Sequence, residues 1–163
     1  MNRRINVSIS EYRLAEPPAV LVTYGLGSCL AIALHDPQLR IGGLAHTLLP
    51  SARQMPAVNR PAKFVDEAVR RMREELLARG AQAPRLTAKI FGGANMFQPL
   101  LGASENGIGV RNVRSARDVL DALGIPLLAA DVGGSFGRTV EFDPVSGLVR
   151  VRAVRGREGE MTF

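Results

Sequence analysis

The chain has 163 residues, 46% of them apolar, with one cysteine and a formal net charge of +6. That length fits a single domain of residues 1–163 with one core, and a lone cysteine excludes an intramolecular disulfide and suits a reducing compartment. No apolar run of about 18 residues marks a membrane span, and the opening MNRRINVSISEYR lacks the apolar stretch of a secretory signal, so a cytoplasmic protein without membrane insertion is expected.

The basic balance comes from arginine, since Lys63 and Lys89 are the only lysines among 21 basic residues. Such a balance fits nucleic acid, an acidic membrane surface, an acidic protein partner or simply a solvated surface. No aromatic residues interleave with the basic ones, and no RNP-like or zinc-finger pattern occurs, so no nucleic-acid partner is expected. Two histidines and one cysteine without ligand spacing argue against a metal site.

In chain order, Ile5, Val7 and Ile9 alternate with polar residues, as in a half-buried strand, and Glu16-Pro17-Pro18 breaks it. AVLVTY, residues 19–24, reads as a second strand. Gly25 and Gly27 bracket a turn into Ser28-Cys29. Leu30 to His35 and Arg40 to Leu48 are short apolar strands joined at Asp36-Pro37, a favoured opening for a type I turn. Ser51 to Arg60 is a polar loop expected to rim any site nearby. Pro61 opens a helix whose stripe is Phe64, Val65, Ala68, Val69, Met72, Leu76 and Leu77, with Gly80 as its stop.

Arg85 to Phe91 is a strand followed by GGANMF. That loop lacks the lysine of a phosphate loop and reads as a close backbone turn. A second helix spans about 107–123. Three more strands cover 126–132, 138–142 and 148–154, and the tail 156–163 reads as loose. Many strands, two helices and both hairpins and crossovers define an α+β fold, a layered sandwich of mixed β-sheets with helices on the outer faces.

The only cysteine and both histidines fall between residues 29 and 46. If Asp36 to Leu39 form a four-residue loop, His35 faces Arg40 and Cys29 faces His46. Side chains directly opposite across an antiparallel pair have Cβ atoms about 5 Å apart, within reach of a thiol–imidazole contact. His35 lies six residues along one strand, about 20 Å from Cys29, and reads as a strand-end residue beside the turn. A lone cysteine is usually a small buried hydrophobe, and it is the hairpin geometry that brings a nucleophile level with that reading. The turn at Gly27 and Ser28 could aim backbone N–H groups at an oxyanion, or be an ordinary tight connection. Thr23 by itself is a good strand residue.

TYGLGSC, HDP, IGGLAH and LLP, followed by KIFGGANMF, IGVRN and DVGGSFGRTVEFD, resemble the CheD-type chemoreceptor glutamine deamidases from Val7 to about Arg152. The resemblance implies a catalytic Cys29, His46 and Thr23, with no departure at these positions. Thr23 would orient the imidazole by its hydroxyl or its carbonyl. It implies a cofactor-free, metal-free protein-glutamine glutaminase working through a cysteine thioester. Its partners would be the cytoplasmic helices of chemoreceptors and a CheC-type phosphatase. The other reading is a non-catalytic regulatory module that docks a receptor or such a phosphatase.

Overall fold

The computed structural model describes residues 2–53, 60–96, 107–155 and 157–163. Among these residues ten strands form two five-stranded sheets. The first sheet has the order β1 (Arg3–Asn6), β3 (Ala19–Leu26), β8 (Gly137–Phe142), β9 (Val149–Val154), β10 (Glu160–Thr162). The second has the order β2 (Glu11–Ala15), β5 (Ile41–Thr47), β4 (Leu30–Asp36), β6 (Thr87–Gly92), β7 (Leu127–Val132). Both are mixed, because β1–β3 and β6–β7 run parallel and the other pairs antiparallel.

The strand β4 explains the layering. Its side chains alternate between two cores, so a continuous apolar run is what such a strand requires. Ala31 and Ala33 turn toward the other sheet and pack with Leu21, Leu44, Phe91, Val140 and Phe142. Leu30, Ile32 and Leu34 turn outward beneath two helices, α1 (Val65–Ala78) and α2 (Ile108–Ala122). Both helices therefore lie outside the sandwich, and both cover the second sheet. Val65, Ala68, Val69, Met72 and Leu76 of the expected stripe are buried there. Pro61 opens a short 3₁₀ turn, Pro61–Lys63, and α1 begins only after Phe64.

The 36–41 hairpin differs from the expected register. Asp36 is the last strand residue, paired with Ile41, so Ala31 rather than Cys29 faces His46. The loop has four residues as expected, but it is Pro37 to Arg40, closed by Arg40 N–H on the Asp36 carbonyl at 2.9 Å with Arg40 at φ 57°. The Asp36 side chain is the reason. Fully buried, it accepts N–H groups of Gln38, Leu39 and Gln82 and the Arg85 guanidinium at 2.8 Å, which holds it inside the sheet end.

Burial alone would raise the Asp36 pKa, but Arg85 and the three N–H donors outweigh it and hold the group at about 2, against an ordinary 3.8. A depressed carboxylate contributes stability above its unfolded pKa and loses it as pH falls through the folded one. The gap corresponds to about 2 kcal/mol. Asp36→Asn should thus be less stable than wild type at pH 6, and the difference in urea midpoint should shrink as pH falls from 4 to 2. A gap independent of pH would contradict this anchor.

Two N-terminal strands replace the single one expected. β1 joins one sheet and β2 the other, and the chain crosses between them through Val7 to Ser10. The tail also differs from expectation. β10 pairs with β9, and Phe163 exchanges two backbone hydrogen bonds with Val149, at 3.0 and 2.9 Å. Its ring packs on Phe91, and its carbonyl accepts Lys89 Nζ at 2.9 Å.

Candidate active site

Three segments meet at one end of the sandwich. β3 belongs to one sheet and β4 to the other, so Gly27, Ser28 and Cys29 are the crossing between sheets. A register irregularity between Thr23 and Leu26, with Gly25 at φ 67°, bends β3 into that crossing. The carbonyls of all three crossing residues are tied down. Gly27 accepts Ala94 N–H at 2.9 Å, Cys29 accepts Gly93 N–H at 2.9 Å, and Ser28 accepts the side chain of Asn112 at 3.0 Å. The glycine loop is thus the close turn its sequence suggested. A Cβ at Gly92 would stand 2.5 Å from the Cys29 carbonyl oxygen. Phe97, at the end of that motif, and residues 54–59 of the expected rim lie outside the described residues.

Thr23 and His46 face each other across the two sheets. Thr23 Oγ1 lies 2.7 Å from His46 Nδ1 and 2.7 Å from the Val7 carbonyl oxygen. That carbonyl can only accept, so the hydroxyl proton goes to Val7 and Oγ1 accepts Nδ1–H. The tautomer follows: Nε2 carries the lone pair. It is buried without a hydrogen-bond partner among the described residues. The contact therefore runs through the Thr23 hydroxyl rather than its carbonyl.

Cys29 is 7% exposed and His46 4% exposed. The two-residue shift in register preserves the face, so Cys29 stays on the inner side with His46, as its diagonal rather than its direct neighbour. Diagonal pairs lie about 7–8 Å apart across strands, and among the described residues no hydrogen bond joins Sγ to the imidazole. Burial pushes the Cys29 thiol above its usual value, partly offset by its own backbone N–H. Burial likewise pushes the His46 imidazole below the usual histidine range, partly offset by the Val7 carbonyl. Both shifts favour the neutral thiol and the neutral imidazole over an ion pair. Such a neutral pair can transfer a proton as the thiol attacks, which is general-base chemistry.

His35 sits where the sequence suggested, at the far end of β4. Its Nε2 donates to the Pro144 carbonyl at 2.8 Å, and its ring meets Phe142 edge-on at 5.7 Å. Asn112 enters the sequence reading only as the last residue of the IGVRN motif, with no role assigned. The signal was present, for it is the one amide on the buried stripe Gly109, Asn112, Ala116, Val119 and Leu120 of α2. Among the described residues no three His, Cys, Asp or Glu side chains group so as to hold a metal ion, and no helix is long and apolar enough to cross a membrane.

An inter-sheet crossing with a buried thiol, an imidazole of defined tautomer and a threonine hydroxyl is a site suited to nucleophilic chemistry. Residues 48–153 match the model of the family described as CheD chemotactic sensory transduction. The chain is 53% identical over 156 residues to the "Probable chemoreceptor glutamine deamidase CheD 2" of Geobacter metallireducens, covering 95% of this chain and 96% of that one. It is 50% identical to a protein of the same kind, CheD 3, from Geobacter sulfurreducens, with the same coverage. A relative named likewise in Pyrococcus abyssi is 45% identical, over 96% of this chain and 95% of its own. The chain belongs to the CheD family.

Proposed function

We propose that the protein is a chemoreceptor glutamine deamidase in which Cys29 is the nucleophile, His46 the base and Thr23 the residue that orients the base. The observation that carries this is the Thr23–His46 hydrogen bond, which leaves Nε2 without a partner among the described residues and on the same inner face as Cys29. The deamidase names borne by relatives at 45–53% identity support it.

His46 Nε2 takes the Sγ proton as sulfur attacks the carboxamide carbon of a glutamine. The C–S bond forms and the carbonyl pair moves to oxygen. Backbone N–H groups at Ser28 and Cys29, beside Gly27, stabilise that oxyanion. The C–N bond then breaks, His46 returns its proton to the leaving nitrogen, and ammonia departs from a thioester on Cys29. Water, deprotonated by His46, adds to the thioester. The thiolate leaves, recovers the proton, and glutamate remains. Every group in the cycle belongs to the chain, the substrate or water.

The substrates in this reading are glutamines on cytoplasmic receptor helices, which places the protein in the cytoplasm. A net charge of +6 would draw it toward acidic helices. By the family resemblance a CheC-type phosphatase is a further partner. Incubation of a receptor cytoplasmic fragment with the purified protein, followed by peptide mass spectrometry, tests the function. Conversion of specific glutamines to glutamate is expected. Tight binding without conversion would favour a docking module instead.

Thr23→Val keeps shape and removes the hydroxyl, so the imidazole loses its orientation and tautomer. A fall of about 100-fold in kcat is expected, in line with losing a positioning contact. Thr23→Ser, which keeps the hydroxyl, should stay within a few-fold of wild type. Equal rates for Thr23→Val and wild type would mean the hydroxyl does not orient the base.

A further inference from the structure

Asn112 lies on α2, fully buried, outside the set of residues assigned above. Its Nδ2 donates to the Ser28 carbonyl at 3.0 Å and to the Leu48 carbonyl at 3.2 Å. Ser28 directly precedes Cys29, and Leu48 follows His46 by two residues. The strand ladder between these segments ends at the pair Leu30–Thr47. Cys29 therefore stands one residue beyond the last pairing, where no strand register holds it. Leu48 there gives its own N–H to the Lys63 carbonyl at 2.9 Å instead. The amide of Asn112 takes over where the ladder stops.

Two further observations single this residue out. Its Oδ1 is buried without a hydrogen-bond partner among the described residues. Buried polar atoms are nearly always paired, so an amide satisfied at one end only is a poor device for core stability. Its two donors are what this position uses. In addition, α2 is seated hard against the loop beneath the thiol. A Cβ at Gly109 would come within 2.4 Å of the Gly93 carbonyl oxygen, and Gly93 N–H donates to the Cys29 carbonyl. The helix and its amide are thus packed directly against the loop that bonds the Cys29 backbone.

We infer that Asn112 is a positioning residue that sets the separation of Cys29 from His46 by clamping Ser28 and Leu48 together. This rests on the reading of Cys29 as nucleophile and His46 as base. The two are diagonal neighbours with no direct hydrogen bond between them, so proton transfer depends on how the two backbones are held. A misplacement of about 1 Å can cost about 100-fold in rate.

The test compares folded wild type, Asn112→Ala and Ser115→Ala with a receptor fragment as substrate. Ser115 is the control, because it also ties α2 to the segment after β5, donating to the Pro50 carbonyl at 2.6 Å, but does not reach Ser28. Asn112→Ala should lower kcat about 100-fold and leave KM within about twofold. Alkylation of Cys29 above its pKa, which needs no base, should be unchanged. In a His46→Ala background the same substitution should cause no further loss. Ser115→Ala should keep wild-type kcat.

A folded Asn112→Ala protein with kcat near wild type overturns the proposal. So does a loss confined to KM, or one that adds fully to that of His46→Ala. Should Asn112→Ala fail to fold, Asn112→Gln is used, which keeps the donor but displaces it. Wild-type kcat in that variant, or loss of fold in both, also overturns it. Failure of the underlying function would look different, since wild type itself would then leave the glutamines unchanged.

Discussion

Cys29→Ala is expected to abolish deamidation, with any residual rate near one part in about 10⁶, the order seen when the nucleophile of a catalytic set is deleted. The fold should survive. Cys29 contributes one sulfur to an inner layer already held by Leu26, Phe91 and Val140, so its loss should cost about 1 kcal/mol. Circular dichroism and a denaturant midpoint separate the two effects. A variant that unfolds would mean the cysteine is a packing residue. A variant that retains activity would mean another group attacks the amide.

The second large effect belongs to His46. Removing a general base typically costs 10²–10⁴-fold, and His46→Ala should fall within about that range. His35→Ala should keep its rate within about twofold. It should lose about 1 kcal/mol of stability with its bond to Pro144. The pH profile gives an independent check. Burial lowers the His46 pKa below its ordinary 6.5, and only the neutral imidazole can accept the thiol proton. The acid limb of kcat/KM should therefore lie below pH 6.5, and activity should persist down to that limb. No loss is expected as the pH rises through the Cys29 pKa, which burial has raised, because the thiolate formed there is itself the nucleophile. An acid limb above 6.5 would exclude His46 as the base.

Much of this was legible in the sequence because it rests on local pattern. The apolar stripe of α1, the turn residues around Asp36 and the motif around Cys29 each follow from residues close together in the chain. The hairpin register was displaced by two, because Asp36 looks like a turn residue and is in fact a buried strand end anchored by Arg85, 49 positions away. The even shift left Cys29 and His46 on one face, so the two remain neighbours across the strands despite the error. The tail was opaque for another reason. Glu160, Met161 and Thr162 are all exposed and show no alternation, because that strand is held by backbone pairing with β9 and by Phe163 on Phe91 rather than by an apolar face of its own. Asn112, quoted only as the end of IGVRN, went without a role because an amide among apolar residues gives no hint of its two carbonyl partners.

The central claim is that the glutamine nitrogen leaves from a carboxamide carbon that has become bonded to Cys29 Sγ. Acid quench of the protein during turnover of a glutamine-bearing receptor peptide, followed by tandem mass spectrometry, examines that bond itself. The account predicts a protein adduct whose mass is that of the peptide less ammonia, mapped to Cys29, lost on treatment with hydroxylamine and absent from Cys29→Ala. Glutamate formed at the wild-type rate by Cys29→Ala, with no adduct on either protein, would contradict it.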